Sequence, residues 1–139
     1  MTQDARHSDP AWREHSPPGL LSVLGPLLSQ RRDDQWIYGL RVRPEHLNPA
    51  QVVHGGTLAT LMDHALSAIA WSHTQKTPCV TVQLNCNFLG PAALGDLLVA
   101  DGHIVRETGS LLFMAGNITV NGTAVATAQG ILKRLANPN

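Results

Sequence analysis

The run His54-Gly55-Gly56-Thr57-Leu58-Ala59-Thr60-Leu61-Met62-Asp63 constrains the fold more than any other part of the chain, together with its continuation through Ala65, Leu66, Ala68, Ile69 and Ala70. It reads as a helix from about Gly55 to about Ser72, apolar on nearly every side. Such a helix has to be covered on every side. It carries one carboxylate, Asp63, whose charge is costly in apolar surroundings unless something compensates it. Two glycines at its start let another group approach the first turn of backbone closely. The free N–H groups of that turn suit a negatively polarised oxygen. One element therefore predicts both an oxyanion-binding helix start and a buried acid or base.

The rest of the chain supplies the cover. Ser16-Pro17-Pro18 begins a short helix through Leu20, Leu21, Val23 and Leu24 that stops near Gly25-Pro26. Residues 35–43 alternate Trp36, Tyr38, Leu40 and Val42 with more polar neighbours and predict a strand. Residues 44–53 form a connecting loop. After the helix, Val80, Val82, Leu84, Cys86 and Phe88 alternate with Thr81, Gln83, Asn85 and Asn87, a half-buried strand that Gly90-Pro91 ends. Residues 97–106 and 110–120 read as two more strands. Asn121-Gly122 is a type I′ hairpin signal joining the second of these to a last strand over 123–132. One long helix followed by hairpin-linked strands predicts an α+β fold, with an antiparallel sheet curled around the helix. Residues 1–18 are polar and rich in Pro, His and charge, and are expected as a flexible tail; residues 19–139 are expected as a single domain.

Composition narrows the function. The chain has 139 residues and a formal net charge of zero, with no basic cluster, so neither nucleic acid nor a membrane surface is an expected partner. The longest apolar stretch contains Asp63 and His64 and is too short to span a bilayer. The N-terminus lacks the apolar core of a secretion signal, which points to the cytoplasm. Cys79 and Cys86 lie at an odd separation on one predicted strand, which places them on opposite faces and argues against a disulfide. His54, Asp63 and His64 do not form an HExxH-like array, and no metal or cofactor is expected.

Spacing also bears on assembly. Gly55 and Asp63 are eight residues apart, about 12 Å along a helix axis. A carboxylate must come within about 3 Å of the proton it takes, or act through one water. Asp63 therefore does not serve an oxygen held at the start of its own helix. An antiparallel second copy brings its Asp63 there, which predicts a homodimer with two shared sites.

The order of strand, loop with Asn48, His54-Gly55-Gly56, helix with Asp63 and long antiparallel sheet resembles the hotdog-fold thioesterases. More closely, it resembles the phenylacetate-pathway-type (PaaI-like) acyl-CoA thioesterases. The resemblance covers roughly residues 19–135. Its most specific parts are Asn48 through Asp63, Val80-Thr81-Val82, and Gly90-Pro91-Ala92 to Gly95-Asp96. It implies a hotdog fold, a long central helix wrapped by a curved antiparallel sheet, and a dimer of dimers.

The implied reaction is hydrolysis of an acyl-CoA to free acid and CoA. As water attacks the thioester, charge gathers on the carbonyl oxygen, and the Gly55 backbone N–H is the expected stabilising donor, with Gly56 beside it. By resemblance, Asn48 positions the carbonyl or the water, and His54 supports the loop or the thioester sulfur. Asp63 of the partner chain acts as general base or as nucleophile, and Thr81 orients it. For the CoA phosphates the resemblance points to the segment Arg106-Glu107-Thr108-Gly109-Ser110, with Arg106, Gly109 and Ser110 as candidates and Lys133 and Arg134 as alternatives. Trp36, Tyr38, Leu61, Met62 and Trp71 are candidates for an apolar acyl tunnel. A hotdog dehydratase or hydratase using His54 with Asp63, and a non-catalytic acyl-CoA binding module, are the competing readings.

Overall fold

The computed structural model describes residues 11–135. Seven strands form one antiparallel sheet: β1 (Arg13–His15), β2 (Leu27–Arg32), β3 (Gln35–Arg41), β4 (Cys79–Phe88), β5 (Leu97–Glu107), β6 (Leu111–Val120) and β7 (Thr123–Arg134). Their spatial order is β1-β2-β3-β5-β6-β7-β4. A short helix α1 (Leu20–Leu24) joins β1 to β2, and the 19-residue helix α2 (Gly55–His73) packs across β3 to β7. This is the hotdog fold.

Glycines let the helix lie close on the sheet. Gly102 on β5 and Gly116 on β6 are direct cross-strand partners. A Cβ at Gly102 would fall 2.7 Å from Leu66 Cδ2, and one at Gly130 on β7 would fall 3.1 Å from Leu66 Cδ1. At Gly116 a Cβ would meet the Asp101 carbonyl oxygen at 2.4 Å and Met62 Sδ at 3.0 Å. Leu66 and Met62 are thereby almost wholly buried, each burial worth about 1.5–3 kcal/mol. Around them Leu58, Leu61, Ala65 and Ala70 meet Leu40, Leu98, Leu112, Ile118 and Leu132 of the sheet.

The helix is covered on one side only. Thr57, Leu58, Leu61, Met62, Ala65, Leu66 and Ala70 are buried, while Thr60, Asp63 and Ser67 are partly open and Trp71 is exposed. Near-continuous apolar sequence thus does not mean complete cover within one chain, because the sheet curls only partway round. No helix among the described residues is long and apolar enough to cross a membrane.

Strand β4 departs from simple alternation. Thr81 pairs with Leu132 and Gln83 with Ile131, so Val82 is an extra residue in a β-bulge. The bulge reverses the parity of the strand. Cys79 and Thr81 before it face the helix together with Leu84, Cys86 and Phe88 after it, whereas Val80 and Val82 are exposed. Cys79 and Cys86 therefore share a face, contrary to the expectation from their odd separation, and both are free thiols.

Two further departures lie near the N-terminus. Residues 13–15, expected within the tail, pair with Ser29, Leu28 and Leu27 as β1, and residues 1–10 of that tail lie outside the described residues. Strand β2 had no sequence expectation. It pairs with β3 through a turn in which Asp33 and Asp34 both have positive φ, at 52° and 62°. Asp tolerates this region without announcing it as Asn-Gly does. The Asn121-Gly122 turn, with φ of 49° and 81°, joins β6 to β7 as expected.

Substituting Gly116→Val should lower stability by about 2–3 kcal/mol, because backbone as well as Met62 must move. Leu66→Ala should cost about 2–5 kcal/mol. Urea midpoints at fixed protein concentration check both.

Candidate active site

Helix α2 starts under unusual local control. His54 is its N-cap, and Gly56 N–H donates to His54 Nδ1 at 2.7 Å. Nδ1 is thus the acceptor, and the neutral ring carries its proton on Nε2. A Cβ at Gly56 would sit 3.0 Å from Nδ1, so the bare glycine leaves room for the ring. Thr57 and Leu58 N–H groups donate to the His54 carbonyl. Among the described residues nothing accepts from Gly55 N–H. Of the two glycines named from sequence, Gly55 holds the open donor, and that of Gly56 is already taken.

Asn48 lines the same cleft as this donor. Its Oδ1 accepts from Ala50 N–H at 2.9 Å and Val52 N–H at 3.3 Å, folding the loop back on itself. Nothing among the described residues accepts from its amide nitrogen. Asn48, Val52, Val53, Gly55, Leu58, Phe88, Leu89, Gly90 and Pro91 line a cleft of about 370 Å³. Phe88 forms its wall, since a Cβ at Gly55 would touch the ring at 3.3 Å.

Asp63 lies outside this cleft. It is partly buried two turns further along α2 and accepts a 2.6 Å hydrogen bond from Thr81 Oγ1. The Val82 bulge turns that hydroxyl toward the helix. The structure thus brings together Asn48 with Gly55, and Asp63 with Thr81, as two separate groups.

The proposed phosphate segment lies at the other end of α2. His73 Nε2 donates to Glu107 Oε1 at 2.8 Å, and Arg134 Nη2 donates to Glu107 Oε2. These two hydrogen bonds hold the Glu107 carboxyl below its ordinary value. Arg134 is therefore occupied. Arg106 pairs with Phe113 and Lys133 with Leu111, so both cations project from the sheet face opposite to Glu107 and Arg134. Gly109 and Ser110 form the exposed β5–β6 turn, where the Ser110 carbonyl accepts from Arg134 N–H. Within one chain these residues are separated from Gly55 by the length of α2, about 27 Å.

A family model for the Thioesterase superfamily matches residues 50–127, more than half of the chain. The chain belongs to the Thioesterase superfamily. It is 34% identical to acyl-coenzyme A thioesterase 13 of Homo sapiens over 92 residues, 66% of this chain and 65% of that protein. It therefore spans about two thirds of the human relative's length. It is 31% identical to the Mus musculus protein of the same name over 115 residues, 81% of each chain. A mutant of the phenylacetic acid degradation protein PaaI from Thermus thermophilus superposes with a TM-score of 0.72 at 26% identity, covering 83% of this chain and 97% of that one. The PaaI-like resemblance seen in the sequence is borne out.

One further cavity, of about 580 Å³, lies on the other flank of α2 between His64, Ala68, Trp71 and Ser72 and residues Arg13, Glu14, His15, Ser29, Trp36 and Tyr38. Of the tunnel residues named from sequence, Trp36, Tyr38 and Trp71 line it, whereas Leu61 and Met62 are buried core. The His64 ring meets Tyr38 edge-on at 5.2 Å, and its Nε2 is shielded with no partner among the described residues. Burial, then nearby His15, lower the His64 value, and Asp63 opposes them.

Because the folded His64 value is lowered, the unfolded chain takes up this proton first on acidification. The neutral ring's contribution to stability is complete above about pH 6.5 and is lost as pH falls from there toward the folded-state value. His64→Gln should flatten this acid-side loss, read as urea midpoints between about pH 7.5 and 5. Independently, His54→Ala should cost about 1 kcal/mol through loss of the cap, and His54→Asn should restore most of it, read by the same midpoints.

Proposed function

We propose that the protein hydrolyses acyl-coenzyme A thioesters in sites shared between two copies of the chain. The observation that carries this is the separation of the open Gly55 donor from Asp63 along one rigid helix. Neither group alone completes a hydrolytic site. An antiparallel partner helix supplies Asp63 to the cleft at Gly55. Two features support a partner at this face: α2 is only partly covered along Thr60, Asp63 and Ser67, and β4 is an edge strand with an unpaired side among the described residues. That edge region exposes Val80, Val82, Phe88 and Leu89, an apolar border that calls for cover.

In this reading the thioester carbonyl oxygen accepts from Gly55 N–H, and the Asn48 amide donates to the same oxygen or to the water. Asp63 of the partner subunit, held by that subunit's Thr81, takes a proton as water attacks the carbonyl carbon. The tetrahedral intermediate collapses, the C–S bond breaks, and the proton held by Asp63 passes to the departing sulfur, so that CoA leaves as its thiol. His54 Nε2–H is directed at the sulfur as a hydrogen-bond donor and keeps its proton. Direct attack by Asp63 is the alternative first step, in which water then hydrolyses a mixed anhydride. The products in both cases are the acid and CoA. A dehydratase needs His54 as a base, and the Gly56 N–H already occupies its Nδ1. Arg106 and Lys133, with the Gly109–Ser110 turn, are the proposed CoA phosphate contacts, and they belong to the subunit that supplies Asp63. A dimer of dimers in the cytoplasm is the assembly and location that go with this reading.

Free-thiol release from aryl, short-chain and medium-chain acyl-CoAs tests the activity. Asp63→Ala should lower kcat by about 10²–10⁴-fold with the fold intact. Absence of thiol release from every substrate in the wild type would sink the reading. Shared sites have their own test. A heterodimer of one Asp63→Ala chain and one Asn48→Ala chain contains one intact site and should recover about half the wild-type rate; sites confined to single chains would recover none.

A further inference from the structure

His46 ends the 3-10 turn Pro44–His46 and is only 2% exposed, one of three buried polar residues among those described. Every polar atom of its ring and its carbonyl is engaged. Arg43 N–H donates to Nδ1 at 3.0 Å. A backbone N–H can only donate, so Nδ1 is the acceptor and the neutral ring carries its proton on Nε2. Nε2–H then donates to the Leu24 carbonyl oxygen at 2.6 Å. The His46 carbonyl accepts from His54 N–H at 2.9 Å and from Thr57 Oγ1 at 3.1 Å.

These bonds join three separate pieces of chain. Leu24 is the last residue of α1, where helical carbonyls lack internal partners. Arg43 Nη2 donates to the same carbonyl at 2.9 Å, and its guanidinium lies over Gly25, where a Cβ would fall 1.7 Å from Nη2. The second piece is the turn leading into Asn48, closed by the Leu47–Val53 bridge. The third is the first turn of α2, where His54 N–H immediately precedes the open Gly55 donor. Leu21 and Leu24 anchor α1 on the core while Leu20 and Val23 stay exposed, so its attachment at Leu24 depends on few contacts besides these bonds.

We propose that His46 is a positioning residue for the thioester carbonyl. By holding α1 through Nε2 and the helix start through its own carbonyl, it sets the direction of Gly55 N–H and the place of Asn48. It does not touch substrate. The inference rests on the reading of Gly55 as the oxyanion donor. Preorganised donors lose effect steeply with displacement, and a shift of about 1 Å costs up to about 10²-fold.

Two substitutions separate the two ring bonds. In His46→Asn the side-chain oxygen takes the place of Nδ1 and keeps the Arg43 bond, but the chain is too short to reach Leu24. In His46→Gln the amide nitrogen reaches toward the Leu24 carbonyl, and Arg43 N–H is left without its acceptor. Both variants of the full chain are compared with wild type in kcat and KM on an acyl-CoA that the wild type turns over, and in the ¹H–¹⁵N shifts of the Gly55 and Gly56 amides. Expected is a fall in kcat of about 10–100-fold for His46→Asn with KM within about two-fold, a displaced Gly55 resonance, and recovery of most of kcat and of the resonance in His46→Gln. Wild-type kcat in both variants overturns the proposal. So do equal losses in both that track the unfolded fraction, with the Gly55 resonance of the folded protein unmoved. If the wild type turns over no acyl-CoA, the thioesterase reading fails by itself. The carbonyl-positioning role then falls with it, and the amide shifts decide the remaining part, that His46 places the Gly55 N–H: displacement in the Asn variant but not in the Gln variant supports that placement, and no displacement overturns it.

Discussion

The close seating of α2 on the sheet is the contact on which the rest of the molecule depends. Gly102, Gly116 and Gly130, on three adjacent strands, leave a groove that Leu66 and Met62 fill. Side chains larger than hydrogen at these positions would lift the helix off the sheet. That would separate Asp63 from the Thr81 hydroxyl, which meets it at 2.6 Å, and move the Gly55 end away from Phe88. The candidate groups at the start of α2 and two turns along it are held in place by the packing of its middle, because an α-helix transmits position along its axis with little give.

That same rigidity divides the candidate site. A flexible segment carrying a glycine donor and a carboxylate eight residues apart could fold them together; a helix holds them about 12 Å apart. The open flank of α2 and the unpaired side of β4 lie where a second copy would supply the missing half. In the dimer we propose, stability and completeness of the site are one property, since the surface that needs cover is the surface that carries Asp63.

Backbone donors set the chemistry of two histidines. His54 and His46 each accept an N–H at Nδ1, which puts the proton of the neutral ring on Nε2. In His54 that nitrogen belongs to an exposed side chain and has no hydrogen-bond partner among the described residues; in His46 it fastens the end of α1. The β4 bulge acts in a similar way on Thr81. One extra residue, Val82, turns the hydroxyl toward Asp63 while keeping Leu84, Cys86 and Phe88 against the helix. Regular pairing through this strand would point either Thr81 or the later apolar residues away from α2.

Periodicity and turn chemistry in the sequence were enough to determine the long helix, the strands from β3 to β7, the Asn121-Gly122 hairpin and the α+β class, because these are local consequences of side-chain spacing and of glycine's tolerance for positive φ. The helix start at Gly55 and the lone carboxylate at Asp63 were equally visible, as was the distance between them. Tertiary structure alone decided the bulge at Val82, the common face of Cys79 and Cys86, the short strands β1 and β2, and the capture of Gly56 N–H by His54. It also decided the burial of His46, which in sequence is one histidine within a loop. A bulge depends on the register of the partner strand, and a buried histidine depends on what packs over it. Both are set by residues far away in the chain, and no local pattern encodes them.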